Sequence, residues 1–191
     1  MKASSILVLL PAVLLPTGAA AAAATSTPAA DLVPRDAPHI SNLLGTIAPR
    51  LSAFNMTLNS FGAKPSLFNA LSVQAASGQI LDALHNVASA ANETDALNGA
   101  GSAQLVEDVE HLRPHVVSAL DNVVAKKPAF DGLLLSALNG VVEKGLQDMK
   151  RGLALFSEAI AMRMMPQFVP QMEHEVEEIT CVFDKTLAVY A

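Results

Sequence analysis

Residues 126–160 read KKPAFDGLLLSALNGVVEKGLQDMKRGLALFSEAI, and this stretch indicates how the chain folds. Its large apolar side chains recur at steps of three, four and seven residues, the periodicity of one face of an α-helix. Pro128 suits the first turn of a helix, so the pattern predicts that a long helix begins there. The apolar face of this predicted helix consists of Phe130, Leu134, Leu138, Val142, Met149, Leu153, Phe156 and Ile160.

Two glycines interrupt the apolar face of this predicted helix. Gly145 and Gly152 fall on the same stripe as Met149 and Phe156 when each residue turns by about 100°. Glycine in a helix interior is less favourable than alanine by about 1 kcal/mol, so another interaction must offset it. Either a neighbouring helix approaches closely at the missing side chains, or a groove for a ligand remains there.

The segment that follows, MRMMPQFVPQM at residues 162–172, holds four of the seven methionines in the chain. Methionine adapts its shape to irregular apolar partners, although it also fills ordinary cores. We therefore predict that this segment forms a movable end of an apolar cavity, with Met164 pointing inward. The predicted lipid-binding residues are Leu138, Val142, Gly145, Met149, Gly152, Leu153, Phe156, Ile160, Met164, Phe168 and Met172.

Helical periodicity also covers the rest of the chain from residue 36 onward. Further helices are predicted at residues 38–61, 66–91 and 102–126, and from residue 170 to the C-terminus, with Ser66 as an N-cap. The second of these carries two apolar lines, one through Leu67 and Leu71 and one through Val73, Ile80, Leu84 and Val87, so it is expected to be covered on two faces. Short connections between long helices favour antiparallel neighbours. The predicted fold is all-α, an elongated up-and-down bundle of about five long amphipathic helices, with kinks or breaks at Pro49 and Pro114.

The N-terminus has the features of a secretory signal peptide. Lys2 precedes an apolar run at residues 6–15, and small residues follow. This order predicts a cleaved signal peptide at residues 1–24, a disordered leader at 25–35 and a single helical domain at 36–191. The protein is therefore expected to be secreted, with or without association with a cell wall.

Composition argues against several classes of protein. The formal net charge is −6 and aromatic residues make up only 4% of the chain, which is unfavourable for binding nucleic acid. The single cysteine, Cys181, cannot form an internal disulfide. It lies on the opposite side of its helix from Ile179 and Phe183, so it is expected to be exposed and able to link a homodimer.

Candidate catalytic and metal-binding patterns are weak. His111 and His115 have the i, i+4 spacing of metal ligands, but both are predicted to face solvent. The acidic run at residues 173–178 is interpreted as a solvated helix face around Val176 rather than as paired acid and base groups. The sequence holds neither a Gly-x-Ser-x-Gly motif nor a phosphate-binding loop. We therefore predict neither an enzyme nor a metal site, and no cofactor.

Two N-glycosylation sequons occur, at Asn92 and Asn55. Asn92 lies among turn-forming residues and is expected to be an accessible loop site. Asn55 lies beside the apolar stripe of its helix, where a glycan would be crowded.

The combined pattern resembles the fungal hydrophobic surface-binding protein A family, whose members are also called cell-wall galactomannoproteins. The resemblance rests on the signal peptide, on LVPRDAPHISNLL at residues 32–44, and on the segment at 126–160, where a lysine and then a phenylalanine precede a long helix of leucine and valine. It implies an all-helical secreted or wall-associated protein that adsorbs to hydrophobic surfaces or binds fatty acids within its bundle. The chain ends at Ala191 without a Ser/Thr-rich stalk or a lipid-anchor signal, which favours a free secreted form.

The expected function is thus non-enzymatic binding of apolar matter. The ligand would be a fatty acid or similar lipid between the helices, or the protein would open its apolar stripes onto a hydrophobic surface. The main alternative is a structural cell-wall glycoprotein with a filled core, and a lipase-like hydrolase fits least well. A continuous apolar cavity would favour the lipid-binding interpretation.

Overall fold

A computed structural model of the chain describes residues 36–132 and 136–190, with side chains for 37–132 and 139–190. These residues form six α-helices and no β-strand, which confirms the all-α prediction. The proposed signal peptide and leader lie outside the described residues. The helices are α1 (Asp36–Gly45), α2 (Ile47–Ala63), α3 (Leu67–Glu93), α4 (Gly99–Asp131), α5 (Ser136–Ala161) and α6 (Val169–Tyr190).

The first predicted helix is divided into α1 and α2 at Thr46. Pro49 explains the position of the break, because it has no N–H to donate to the carbonyl group of Gly45 and its ring crowds that group. Within α2, Pro49 occupies the first turn, where a backbone N–H would have no helical partner. Thr46 instead donates its N–H and its hydroxyl to the carbonyl oxygen of Leu43, at 3.0 and 2.7 Å.

The other prolines do not divide their helix. Of the kink or break predicted at Pro114, the break is wrong, because α4 is continuous through this residue; a kink there stays a prediction. A proline removes one backbone hydrogen bond, and the buried side chains of Leu112 and Val116 on either side hold the helix in place. The predicted helix start at Pro128 is also wrong. There α4 continues to Asp131, and Gly132 donates its N–H to the carbonyl oxygen of Pro128 at 3.0 Å.

Helix α3 begins as predicted but is covered on one face rather than two. The Ser66 hydroxyl accepts a hydrogen bond from the N–H of Asn69, which confirms the N-cap. The line through Val73 and Val87 is buried. The other line is exposed, with Leu67 at 53% and Leu71 at 52% of their full accessible surface. No helix among the described residues covers this second line, so the expectation of two covered faces is wrong.

Contacts between helices give the direction of each one. Arg113 of α4 pairs with Glu175 of α6, and the carbonyl oxygen of Val123, ten residues later, accepts a hydrogen bond from Tyr190 near the end of α6. Helices α4 and α6 therefore run parallel. A third helix, α5, lies between them in sequence and packs on α6, as the pairing of Lys150 with Asp184 shows.

Helices α3 and α5 are parallel by the same argument. Ser77 lies beside Gly145, and Leu84 lies beside Gly152. From α3 to α6, alternate helices thus point the same way, in agreement with the predicted up-and-down bundle. Of the described helices, α4 is the longest with 33 residues, which corresponds to about 50 Å. No helix among the described residues is long and apolar enough to cross a membrane.

An aromatic cluster closes the end of the bundle where α2, α4 and α6 finish. Phe61 and Phe130 stack with their ring centroids 4.1 Å apart, and Phe130 and Tyr190 pack edge to face with centroids 6.4 Å apart. The Tyr190 hydroxyl donates to the carbonyl oxygen of Val123 at 2.8 Å. Burial, and secondarily the charge of Asp131, raises the pKa of Tyr190 well above its ordinary value, so this hydroxyl stays protonated.

Candidate functional site

A cavity of about 290 Å³ lies between α2, α3, α4 and α5, next to the aromatic cluster. Protein cores contain few voids larger than a water molecule, so a space of this size needs an explanation. Its volume is close to the lower limit of ligand pockets, about 300 Å³. Its inner wall is apolar and comes from all four helices: Phe54, Leu58, Ala70, Val73, Val123, Phe130, Leu146 and Met149.

The cavity opens between α3 and α5, where glycines replace side chains on both helices. Gly78 of α3 has no atom of another group within 4 Å of the place where a Cβ would stand. On α5, a Cβ at Gly145 would meet only the Ser77 hydroxyl, at 3.7 Å, an ordinary contact distance. The two missing side chains therefore leave a gap between the helices.

Further along α5, at Gly152, the gap between the two helices is closed. A Cβ at this position would lie 3.1 Å from Cδ1 of Leu81 and 3.5 Å from Cβ of Leu84. Gly152 is therefore a site of close helix approach. The two explanations for glycine on the α5 stripe each apply once, the groove at Gly145 and the close approach at Gly152.

A second, much smaller cavity of about 40 Å³ lies deeper in the bundle. Its lining includes Leu153 and Phe156, and Met149 and Phe54 line both cavities. This volume is close to that of a single water molecule, about 30 Å³, so the second cavity alone does not accommodate a lipid chain. Met149 and Phe54 form the wall between the two spaces.

The structure divides the predicted lipid-binding residues into separate groups. Val142, Gly145 and Met149 line the main cavity, and Leu153 and Phe156 line the small one. Ile160, Met164 and Met172 are buried in the core toward the other end of α5, and Phe168 is partly buried against it. Gly152 packs against α3, and the side chain of Leu138 lies outside the described residues. A lipid-binding role for the set remains a prediction.

The sequence pattern predicts a cavity along α5 and the methionine segment and does not identify the walls contributed by other helices. Phe54 and Leu58 of α2, Val73 of α3, and Val123 and Phe130 of α4 all contribute to the lining. Periodicity places them on apolar stripes, but it does not tell which stripes meet around a space. Gly78 of α3, which lines the cavity together with Gly145, is the residue in the sequence that indicates a space on this side of α5.

The methionine segment lies at the end of the bundle remote from the cavity, and backbone hydrogen bonds connect it to neighbouring elements. The N–H of Met165 donates to the fully buried Ser102 hydroxyl at 3.0 Å, and the carbonyl oxygen of Arg163 accepts from Leu97 at 2.7 Å. Met164 is buried, as predicted, whereas Met162 is 64% exposed. None of its residues lines the main cavity, so the prediction that the segment forms the cavity end is wrong. Met164 and Met172 are its buried members and belong to the core.

Polar side chains are confined to the edge of the main cavity. Gln74 and Ser77 lie on the α3 side, and Lys144 and Asp148 on the α5 side. The Lys144 ammonium is 2.8 Å from the Asp148 carboxylate. This hydrogen bond, together with the charges of Lys144, Arg151 and His85, holds the pKa of Asp148 below its ordinary value.

The remaining candidate sites show no catalytic arrangement. His111 and His115 are exposed, and the described residues contain no cluster of three potential metal ligands. Glu175 departs from the predicted solvated face, because it is buried and pairs with Arg113 of α4 at 3.1 Å. A buried carboxylate requires such a partner. Cys181 is exposed, as predicted, and the disulfide-linked dimer remains a prediction.

The two sequons differ in their surroundings. Asn92 is exposed but lies in the last turn of α3 rather than in a loop, and its carbonyl oxygen accepts a hydrogen bond from Arg163. The side-chain oxygen of Asn55 accepts a hydrogen bond from the Asn122 amide at 3.1 Å, in a partly buried position. Glycosylation remains a prediction at both, with Asn92 the more accessible.

The fold and the cavity define a class of protein, an all-α bundle with an apolar space open between two of its helices. The model of the family described as hydrophobic surface binding protein A matches residues 37–162. Since this range is more than half of the chain, the protein belongs to that family. No curated protein sequence matches the chain.

Solved structures share the fold. Afmp4p, crystallised in complex with palmitic acid, is 24% identical with a TM-score of 0.76, and the match covers 81% of this chain and 99% of that one. Ligand-binding domain 1 of the Penicillium marneffei MP1 protein, complexed with arachidonic acids, is 16% identical with a TM-score of 0.73, covering 82% and 99%. Domain 2 of the same protein, with multiple arachidonic acids, is 16% identical with a TM-score of 0.72, covering 82% and 97%.

Proposed function

We propose that this protein is a secreted, non-enzymatic carrier that holds the hydrocarbon chain of a fatty acid or similar lipid in the cavity between α2, α3, α4 and α5. The observation that carries the proposal is the apolar cavity itself, open between Gly78 and Gly145. Two solved structures of the same fold, Afmp4p and the MP1 domain 1, contain palmitic and arachidonic acids. The proposal extends that chemistry to this chain.

The lining supplies what a hydrocarbon chain needs. The side chains of its inner wall contain only carbon and sulfur as heavy atoms. A bound hydrocarbon tail is therefore removed from water without depriving a polar side chain of the wall of its hydrogen bonds. Each buried methylene group contributes about 0.8 kcal/mol. A tail of a dozen carbons therefore supplies enough driving force for firm binding even after the loss of translational freedom and chain entropy.

A longer chain has room to continue past Met149. This side chain and Phe54 separate the main cavity from the small one beside Leu153 and Phe156. Methionine has three flexible side-chain bonds and repacks readily. Its movement would join the two spaces along α5, and the predicted residues at the inner end of the site would then contact the ligand.

The test is lipid binding by wild type and by Gly145→Leu. Native mass spectrometry of the secreted protein should show co-purified lipid, and added palmitate should bind. Leucine at position 145 would occupy the cavity mouth, and we expect a loss of affinity of at least about tenfold with no loss of stability, because replacing glycine in a helix gains up to about 1 kcal/mol.

The matched control for this experiment is Gly140→Leu. Gly140 lies on the same helix, does not line the cavity and has no atom of another group within 4 Å of the place where a Cβ would stand. We expect this variant to bind palmitate like wild type. Wild-type protein that neither carries nor takes up lipid would refute the proposed function, and a Gly145→Leu variant with unchanged affinity would place the ligand elsewhere.

A second candidate function, adsorption to a hydrophobic surface, rests on a different observation. Leu67, Phe68 and Leu71 at the start of α3 are exposed, with Phe68 at 77%. We define these three residues as the α3 patch. Since they follow one another within two helical turns, they offer a local apolar contact for an alkane-like surface.

Adsorption to alkane-coated particles tests this second function. Phe68→Ser with Leu71→Ser should reduce adsorption while leaving palmitate binding unchanged, because neither residue lines the cavity. Met162→Ser, which alters a side chain of similar exposure in the methionine segment, is the control. Equal adsorption by all three proteins would exclude the α3 patch as the contact.

A further inference from the structure

The edge of the cavity presents one positive charge among its described lining residues. Lys144 lies on α5, one residue before Gly145, and therefore beside the opening between the helices. The Ser77 hydroxyl on the α3 side is already engaged, since it donates to the carbonyl oxygen of Gln74 at 2.8 Å. An anionic group arriving at the mouth would meet the Lys144 ammonium as its strongest partner.

The present partner of Lys144 is easily exchanged. Its pair with Asp148 is an i, i+4 contact on one helix, and the lysine side chain is 72% exposed. Exposed pairs of this kind contribute little, and the order with the cation nearer the N-terminus is the weaker of the two. Breaking the Lys144–Asp148 pair therefore costs little free energy when a ligand binds.

Asp148 keeps a second cation nearby when Lys144 turns away. The Arg151 guanidinium lies 3.8 Å from the second carboxylate oxygen of Asp148. The carboxylate is thus not left isolated when Lys144 exchanges its partner.

We propose that Lys144 binds the carboxylate of the ligand at the cavity mouth, exchanging Asp148 for it, and that this contact makes the site selective for fatty acids over neutral chains of equal length. The inference rests on the proposed function, because it requires that the hydrocarbon tail occupies the cavity. The tail supplies most of the affinity, and Lys144 determines the choice of head group. Asp148 acts as a competitor that weakens carboxylate binding.

The experiment compares dodecanoate with dodecanol, two ligands with the same number of carbon atoms and different head groups. Dissociation constants are measured at low salt and neutral pH for wild type, Lys144→Gln, Lys144→Arg and Asp148→Asn. We expect Lys144→Gln to lose about fivefold in affinity for dodecanoate, the upper range for an exposed ion pair, and to bind dodecanol unchanged. Lys144→Arg should retain the selectivity, and Asp148→Asn should bind dodecanoate more tightly than wild type.

Lys185→Gln is the control, since it removes an exposed lysine from α6 that does not line the cavity. It should leave both dissociation constants unchanged. If Lys144→Gln weakened both ligands equally, or neither, the assignment of Lys144 would be wrong while the proposed function stood. If wild type bound neither ligand, both the proposed function and this inference would fail.

Discussion

Gly145 and Gly152 lie seven residues apart on one face of α5, yet their surroundings differ. Beside Gly145 the nearest group is the small Ser77, and the helices leave a mouth. Beside Gly152, Leu81 and Leu84 fill the space of the missing side chain. A glycine on a core stripe therefore does not by itself indicate a groove, because the residues on the opposite helix determine whether the space is filled.

The same contrast divides the whole bundle. The cavity half is the part around Phe54, Val123 and Gly145, where the four helices leave a space. The closed half is the part around Ile160 and Met172, whose side chains are fully buried. Soft methionine side chains occur in both halves, so their presence alone does not distinguish a binding site from a packed core.

Truncating a methionine of the closed half tests whether it is core. Met172→Ala should lower the free energy of unfolding by about 2–5 kcal/mol, because it removes a fully buried side chain and leaves a void. Chemical denaturation measures the loss. Palmitate affinity of the folded protein should stay within about twofold of wild type, and a large affinity loss would show that the ligand reaches the closed half. The exposed Met162→Ala should change stability by no more than about 0.5 kcal/mol.

Enlarging Gly152 contrasts directly with enlarging Gly145. Gly152→Leu places bulk against Leu81 and Leu84 and should cost about 1–3 kcal/mol of stability by overpacking. Thermal unfolding with and without palmitate separates the two variants, since Gly152→Leu should melt earlier yet still be stabilised by ligand. A Gly152→Leu variant as stable as wild type would mean that the closed half is as open as the cavity half.

Removing one hydroxyl tests the end of the cavity half. Tyr190→Phe deletes the hydrogen bond to the carbonyl oxygen of Val123 but keeps the ring beside Phe130. We expect a loss of about 0.5–1.5 kcal/mol in the free energy of unfolding, the typical net contribution of one hydrogen bond. Stability equal to that of wild type in urea would show that this contact does not help to close the cavity half.

The junction between α4 and α5 should show a small pH dependence. A hydrogen bond from Asn139, and secondly one from Lys127, holds the pKa of Asp131 below its ordinary value. Because the folded-state pKa is lowered, the stabilising contribution is present above the unfolded-state pKa, about 3.9, and is lost as pH falls through the folded value. An NMR titration of the Asp131 carboxyl should give a midpoint below that of unfolded chain, and Asn139→Ala should raise it. A midpoint equal to that of the unfolded chain would show that these hydrogen bonds do not stabilise the ionised Asp131 carboxylate.

Much of the local structure could be predicted from particular residues. Ser66 marked the start of α3 because its hydroxyl can cap a free N–H, and the structure contains that bond. Helical phase placed Met164 inside and Cys181 outside, and both positions are confirmed. These outcomes depend on neighbours within one helix, which the sequence displays directly.

The failures share a different cause. Pro128 predicts a helix start because proline favours the first turn, but α4 continues past it to the aromatic cluster of Phe130 and Tyr190. The line through Leu67 and Leu71 was expected to be covered, and no helix lies over it among the described residues. At Pro128, packing with a distant part of the chain outweighs the local preference for a helix start. At Leu67 and Leu71, no distant part of the described chain packs against the apolar line.

The all-α fold and most of the apolar helix faces follow from the amino-acid sequence alone, because periodicity, caps and short connections act over a few residues. Where the interior is filled depends on how distant helices pack. The mouth at Gly145 exists because Gly78 and Ser77 lie opposite it, and the closed contact at Gly152 exists because Leu81 and Leu84 do. The volume left between two helices depends on the side chains of both facing surfaces, which are distant in sequence. The apolar stripe of one helix therefore does not determine it.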